Sequence, residues 1–365
     1  MKKIYTLLAL LVFTLSFAQP PAGYYNTATG TGYTLKTQLY NIINGHTDRG
    51  YSGLYVTYTT SDVDNYYENN GTMLDMYTEN PTGTECEFTY GINQDDGTSG
   101  TAECQKYNRE HLIPQSVFSS ATPMYSDAHF VVPSDKYVNG QRGNFPFGRV
   151  NTGVSFSTYS NGSKRGSNLN SGYSAGYSGT IFEPINEFKG DIARMLLYFA
   201  TRYENTVAGY PYDMFNNTTN QVFTSTAINI LLTWNNQDPV SQREIDRNNA
   251  VYARQNNRNP FIDNTGPTGY AMQIWGSLLS TETFDLLANN ISIYPNPTND
   301  HRINIESETV LDEIQLININ GQLMQQIKKP VSQNNTYTLE NLPQGFYFLK
   351  LTSENQTVTK KLIVN

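Results

Sequence analysis

Pro295 and Pro297, within Ile291-Ser292-Ile293-Tyr294-Pro295-Asn296-Pro297, interrupt regular structure and divide the 365-residue chain into two unequal parts. Beyond them the pattern is one of short strands. The β-branched runs Ile314 to Ile319 and Gln322 to Ile327 flank Asn320-Gly321, a dipeptide that tolerates positive φ and so favours a tight hairpin. A turn at Leu342-Pro343-Gln344-Gly345 leads into Phe346 to Leu351, and the chain closes on Lys360-Lys361-Leu362-Ile363-Val364-Asn365. This predicts a small β-sandwich over residues 291–365, a linker at 287–290, and a larger domain over 19–286 that must carry any chemistry.

Residues 1–18 begin with Lys2-Lys3, run through an apolar stretch from Leu7 to Phe13, and end on Ser16-Phe17-Ala18 before Gln19. That is the layout of a cleaved secretory signal peptide. A bilayer-spanning helix needs about 20 apolar residues. Thr6, Thr14 and Ser16 break a run that is already too short, and no other stretch is long and apolar enough to span. Export into an oxidising compartment predicts a disulfide between Cys86 and Cys104, the only two cysteines. Closing a loop of that size stabilises the fold by about 3 kcal/mol. A zinc site is disfavoured, because the four histidines do not fall at zinc-finger spacing and no His-x-x-x-His pair occurs.

With 24 basic and 32 acidic side chains, a net charge of −8 and a pI near 5.1, the chain cannot bind polyanions through bulk positive charge. Residues 19–286 are more acidic still, with 16 basic and 25 acidic groups. Within them, residues 105–165 hold 7 basic and 3 acidic groups, so positive potential is expected to be local. The 27 tyrosines fit either long surface loops or stacking faces for unpaired bases.

That basic segment contains three polar clusters: Asn108-Arg109-Glu110-His111-Leu112-Ile113-Pro114, Asp127-Ala128-His129-Phe130-Val131-Val132-Pro133, and Tyr137-Val138-Asn139-Gly140-Gln141-Arg142-Gly143-Asn144-Phe145. A carboxylate and an amide oxygen suit a hard cation that keeps several waters, and a neighbouring imidazole can take a proton from an attacking water. The clusters resemble the bacterial endonuclease I family, in the ββα-metal (His-Me finger) group of nucleases. Further stretches fit in order: Phe182-Glu183-Pro184 to Arg194, Asp238-Pro239-Val240 to Asn248, and Gln255 to Asp263. The resemblance implies an α+β fold, a ββα-metal finger core with surrounding helices. It also implies a Mg²⁺-dependent endonuclease, with Mn²⁺ or Ca²⁺ as alternatives, acting on DNA or RNA without sequence preference. His111 is then the general base, and Glu110 and Asn139 the metal ligands. Phe118 to Ser126 holds no basic residue where some members carry a phosphate-binding arginine, so Arg142, Arg194 or Arg258 is the candidate for that role. The tail from Tyr294-Pro295-Asn296-Pro297 to Lys361-Leu362-Ile363-Val364 resembles the sorting domain of the type IX secretion system, which implies that machinery as partner and a secreted or cell-surface location.

His129, flanked by Ala128 and Phe130-Val131-Val132, reads as a strand histidine that supports the site from behind, with Asn144 as a further support. On a regular strand Glu110 and His111 point to opposite faces, so a bend is expected near Pro114. Ile185, Phe188, Ile192, Met195, Leu196 and Phe199 recur at helical spacing as a core stripe, with Glu187, Asp191, Arg194, Tyr198 and Arg202 along another face. Those polar residues fit an ion-paired helix surface or, at Arg194, a phosphate contact. The alternative to a nuclease is a noncatalytic adhesin or glycan-binding protein exported by the same route.

Overall fold

A computed structural model describes residues 20–98, 100–289, 291–307, 309–332, 335–353 and 356–365. The leader expected at residues 1–18 lies outside them. The larger part of the chain begins with two helices, α1 (Gly32–Ile43) and α2 (Gly53–Ser61). Leu35, Leu39 and Ile43, one turn apart on α1, are fully buried. The ribbon of β1 (Tyr107–His111) and β2 (Val131–Asp135) follows, antiparallel in register, and runs directly into α3 (Lys136–Arg142). The Asp135 carboxylate accepts the Val138 backbone N–H and so caps this short helix where the strand ends.

A small antiparallel sheet, β3 (Phe156–Thr158), β4 (Lys164–Ser167) and β5 (Thr180–Glu183), leads to α4 (Lys189–Arg202). Then come α5 (Ser225–Gln237), α6 (Gln242–Gln255), α7 (Pro260–Asp263) and α8 (Tyr270–Asn289). Helix α6 starts with a capping box between Ser241 and Glu244 and stops at Asn256, whose φ of 63° is left-handed. Helix α8 continues to Asn289, so the expected linker is helical over residues 287–289.

Helix α4 differs from the expected amphipathic pattern: every one of its residues is buried. Its stripe of Ile192, Met195, Leu196 and Phe199 packs in the core, but the polar face is covered as well. That face is not a solvated surface, because α4 packs against α1, α5 and α7. Several of its buried polar groups have partners on other segments. Arg194 holds Glu244 through two bonds, at 2.6 and 2.8 Å, and Arg202 donates to His46 Nδ1 at 3.1 Å. Tyr198 and Tyr203 both donate to Asp127 Oδ2 at 2.8 Å.

Asp127 organises the floor under the ribbon. Gln255 Nε2 and the His129 backbone N–H donate to its Oδ1, and His129 Nε2 donates to the Asn257 carbonyl at 2.9 Å. His129 is 1% exposed, and burial lowers its pKa to about 4 even though Asp127 and the Asn257 carbonyl pull the other way.

Residues 291–365 form two sheets around their own core, which includes Ile303, Ile305, Leu349 and Leu362. One sheet holds β6 (Ile291–Tyr294), β7 (Ile303–Ser307) and β10 (Thr336–Leu339). The other holds β8 (Glu313–Asn318), β9 (Leu323–Lys328), β11 (Gly345–Ser353) and β12 (Gln356–Val364). The β8–β9 hairpin turns at Asn320-Gly321, where Gly321 has a φ of 79°. Among the described residues, no helix is long and apolar enough to cross a membrane.

Cys86 and Cys104 are joined, with Cα atoms 4.8 Å apart. Replacing both by serine should lower unfolding free energy by about 3 kcal/mol in denaturant titration, and reductant should then have no further effect. Acid should also weaken the fold through His129. Its folded pKa lies below the unfolded value, so its contribution is intact above pH about 6.5 and is lost as pH falls toward about 4. Melting temperatures measured across that window should fall less steeply for His129→Gln than for the parent chain.

Candidate active site

Glu110 and His111 are the last two residues of β1, opposite Val132 and Val131 on β2. The ladder stays regular through His111, and the chain bends just beyond it, at Leu112 and Ile113, where a bend near Pro114 was expected. Their side chains leave opposite faces of the strand, and the Glu110 carboxylate also accepts the His111 backbone N–H.

Glu110 is 3% exposed. Its Oε1 accepts the Tyr77 hydroxyl and Arg142 Nη1, each at 2.8 Å. Burial raises its pKa above the ordinary carboxylate value, against the pull of Arg142, Tyr77 and the His111 N–H. Arg142 lies one helical turn beyond Asn139 on α3. Besides Glu110, it donates to the carbonyls of His111 at 3.0 Å and Leu112 at 2.7 Å, and to the Tyr212 hydroxyl at 3.3 Å. One fully buried guanidinium thus clamps α3 onto the end of β1.

Asn139 is half-buried on the same helix. Its Nδ2 donates to Asn108 Oδ1 at 2.8 Å and lies 3.4 Å from the Arg109 carbonyl, which turns its Oδ1 away from the strand. A carboxylate and an amide carbonyl are hard oxygen donors, and with water they suit a small divalent cation. In donor type, though not by any shared geometry, Glu110 and Asn139 match the metal that the sequence resemblance implies.

His111 sits on the other face. Its Nε2 lies 3.1 Å from the Tyr125 carbonyl, which can only accept, so Nε2 carries the proton and Nδ1 keeps its lone pair. The imidazole stacks on Tyr125 at 5.4 Å and on Tyr51 at 5.9 Å, with Phe118 and Phe130 at its other sides. Burial lowers its pKa to about 4; the Tyr125 carbonyl opposes this, and Arg109 and Arg142 add to it. The ring is held neutral in one tautomer.

The arginines are distributed otherwise than a phosphate role would require. Arg142 is committed to the clamp, Arg194 to Glu244, and Arg258 to Asp263 through bonds of 2.6 and 2.7 Å; all three are at most 1% exposed. Arg109, beside the site, is half-buried. It stacks over the rings of Tyr51 at 3.4 Å and Tyr55 at 4.2 Å, and donates to the Tyr51 carbonyl at 3.0 Å. Asn144 is exposed in the turn after α3. His129 bonds to Asn257 and packs on Tyr198, beneath the ribbon. The sequence reading did not assign roles to Tyr77, Tyr125, Asn108 and Arg109. The last two stand in the Asn108 to Pro114 cluster, whereas Tyr77 lies 33 residues from its partner and had no local signal.

Residues 31–266 match the Endonuclease I family, and residues 292–365 match the secretion system C-terminal sorting domain. An extracellular ribonuclease of Bacillus subtilis (strain 168) is 34% identical over 273 residues, covering 72% of this chain and 83% of the ribonuclease. An extracellular ribonuclease of Bacillus amyloliquefaciens is 34% identical over 258 residues, covering 69% and 78% respectively. Among solved structures, PorZ of Porphyromonas gingivalis, a surface component of the type IX secretion system, aligns with 23% of the chain and 12% of its own at 12% identity. Its TM-score of 0.19 is too low to bear on fold or function. The chain belongs to the endonuclease I family, as a secreted or cell-surface nuclease with a C-terminal secretion sorting domain.

Proposed function

We propose that this nuclease is a Mg²⁺-dependent endonuclease that hydrolyses phosphodiester bonds of extracellular DNA and RNA without sequence preference. The observation that carries the reading is the bond between His111 Nε2 and the Tyr125 carbonyl, which leaves Nδ1 free to act as a base. His111 Nδ1 takes a proton from water as the water oxygen bonds to phosphorus; the bond to the 3′ oxygen breaks, which leaves a 5′ phosphate. The Tyr51 and Tyr125 rings keep the imidazole in place through this transfer. Glu110 and Asn139 hold the metal, which when bound stabilises charge on the phosphate oxygens; Mn²⁺ and Ca²⁺ are compatible with the same donors.

Arg109 contacts the phosphate, in place of the buried Arg142, Arg194 and Arg258. The ribonuclease relatives support RNA as a substrate beside DNA. The leader at residues 1–18 starts export, and the type IX machinery recognises residues 291–365 as the sorting domain.

His111→Ala should reduce cleavage of plasmid, single-stranded DNA and RNA by about 10²- to 10⁴-fold while circular dichroism stays native. Glu110→Ala should lose Mg²⁺-dependent cleavage, and EDTA should silence the parent enzyme. Full activity in His111→Ala would refute the mechanism. Binding should depend only modestly on salt. Lys106 and Lys136, both in the basic segment, are already paired with Asp96 and Asp95, so few charges remain for phosphates. The slope of log K against log salt should be no steeper than about −3.

A further inference from the structure

The loop after α2 closes on itself: the Asp64 backbone N–H donates to the Thr72 carbonyl at 2.9 Å, and the Gly71 N–H to the Asp64 carbonyl at 3.2 Å. The Asp64 carboxylate is divided between two roles. Its Oδ1 accepts the backbone N–H groups of Tyr66 and Tyr67 at 3.2 and 3.1 Å, while Oδ2 is buried without a hydrogen-bond partner. Glu79 approaches from the next segment, anchored by its N–H to the Asp75 carbonyl at 2.8 Å and by its own carbonyl to Asn161 Nδ2 at 3.1 Å. Both of its carboxylate oxygens are likewise buried, and no hydrogen-bond donor reaches either; the carboxyl next to them is that of Glu85.

Asp64 is 0% and Glu79 1% exposed, and Glu68 stands at the solvent edge. One ligand oxygen from each of the three lies within 4.8 Å of the others. Glu85 joins the cluster, with its Oε1 also buried and unpartnered. An unpaired buried carboxylate is costly, and several together repel one another. Burial, a side-chain contact with the Glu85 carboxyl, and the charges of Glu85, Glu68 and Asp64 all push the Glu79 carboxyl the same way, up to about 10. The arrangement needs positive charge.

We propose that Asp64, Glu68 and Glu79 bind a second divalent cation, Ca²⁺, outside the hydrolytic centre. Ca²⁺ binds oxygen at about 2.3–2.6 Å and accepts several crowded carboxylates in flexible geometry. Mg²⁺ demands tighter octahedral spacing and keeps more of its water. The ion joins the Asp64 loop to the segment that carries Tyr77, two residues before Glu79, whose hydroxyl bonds Glu110. Its role is to hold that segment in place.

The test uses the full secreted chain, stripped with EDTA, with two readouts: thermal unfolding with and without Ca²⁺, and tyrosine-sensitised Tb³⁺ luminescence. At saturating Ca²⁺ the melting temperature should rise by roughly 5 °C or more. The rise and the luminescence should persist in Asn139→Ala, which lacks a proposed ligand of the hydrolytic centre. Both should be lost in Glu79→Gln and in Glu68→Gln, the latter an exposed position where folding is safe. In EDTA, Glu79→Gln should melt no lower than the parent, because a repelling charge has gone. A Ca²⁺ response that survives in Glu79→Gln and Glu68→Gln, or that disappears in Asn139→Ala, would overturn the proposal. So would no response in the parent chain, which would mean that the carboxyls share protons instead.

Discussion

The site depends on one buried ion pair, Arg142 with Glu110. Taking both charges out of water carries a large desolvation penalty, offset here by complementary hydrogen bonds rather than by Coulomb attraction alone. Arg142 also binds the His111 and Leu112 carbonyls, and Glu110 also accepts from Tyr77. The pair therefore fixes the angle between α3 and the end of β1, and with it the position of Asn139 relative to the strand. Loss of either partner would strand the other charge in the core, at a cost of about 3–5 kcal/mol.

Tyrosine supplies much of what a more basic protein would obtain from lysine and arginine. In the core, Tyr77 donates to Glu110, and Tyr198 and Tyr203 to Asp127; nearer the surface, Tyr25 donates to Asp263, Tyr66 to Asp246, Tyr67 to Glu187 and Tyr177 to Asp213. A phenol brings a donor and an apolar ring together and needs no counter-charge. This explains the buried polar face of α4, where phenols and arginines meet carboxylates inside the core.

What could be read in the sequence was what is local. Glu110-His111 and Asn139 were picked out by short motifs, and the structure brings them to the junction of β1 and α3. The Asn320-Gly321 hairpin and the Cys86–Cys104 bond were legible for the same reason: each depends on neighbouring residues or on a single pair. The arginines were not legible. Arg194 meets Glu244 50 residues away, and nothing near Arg194 in sequence distinguishes an ion pair in the core from a phosphate contact at the surface. Helix α4 showed a clear apolar stripe, but periodicity cannot reveal that the opposite face is covered too. The bend expected near Pro114 was legible for the same local reason: it falls at Leu112 and Ile113, while the strand keeps its pairing through His111.

The central claim is that the fold holds His111 neutral, with the proton on Nε2 and the lone pair on Nδ1. Nitrogen-15 NMR of the histidine rings, with His111 assigned by comparison with His111→Gln, tests this directly. At pH 7 the account predicts a protonated Nε2 and a bare Nδ1, with no conversion to imidazolium until the pH approaches about 4. A proton on Nδ1, or an imidazolium at neutral pH, would contradict it.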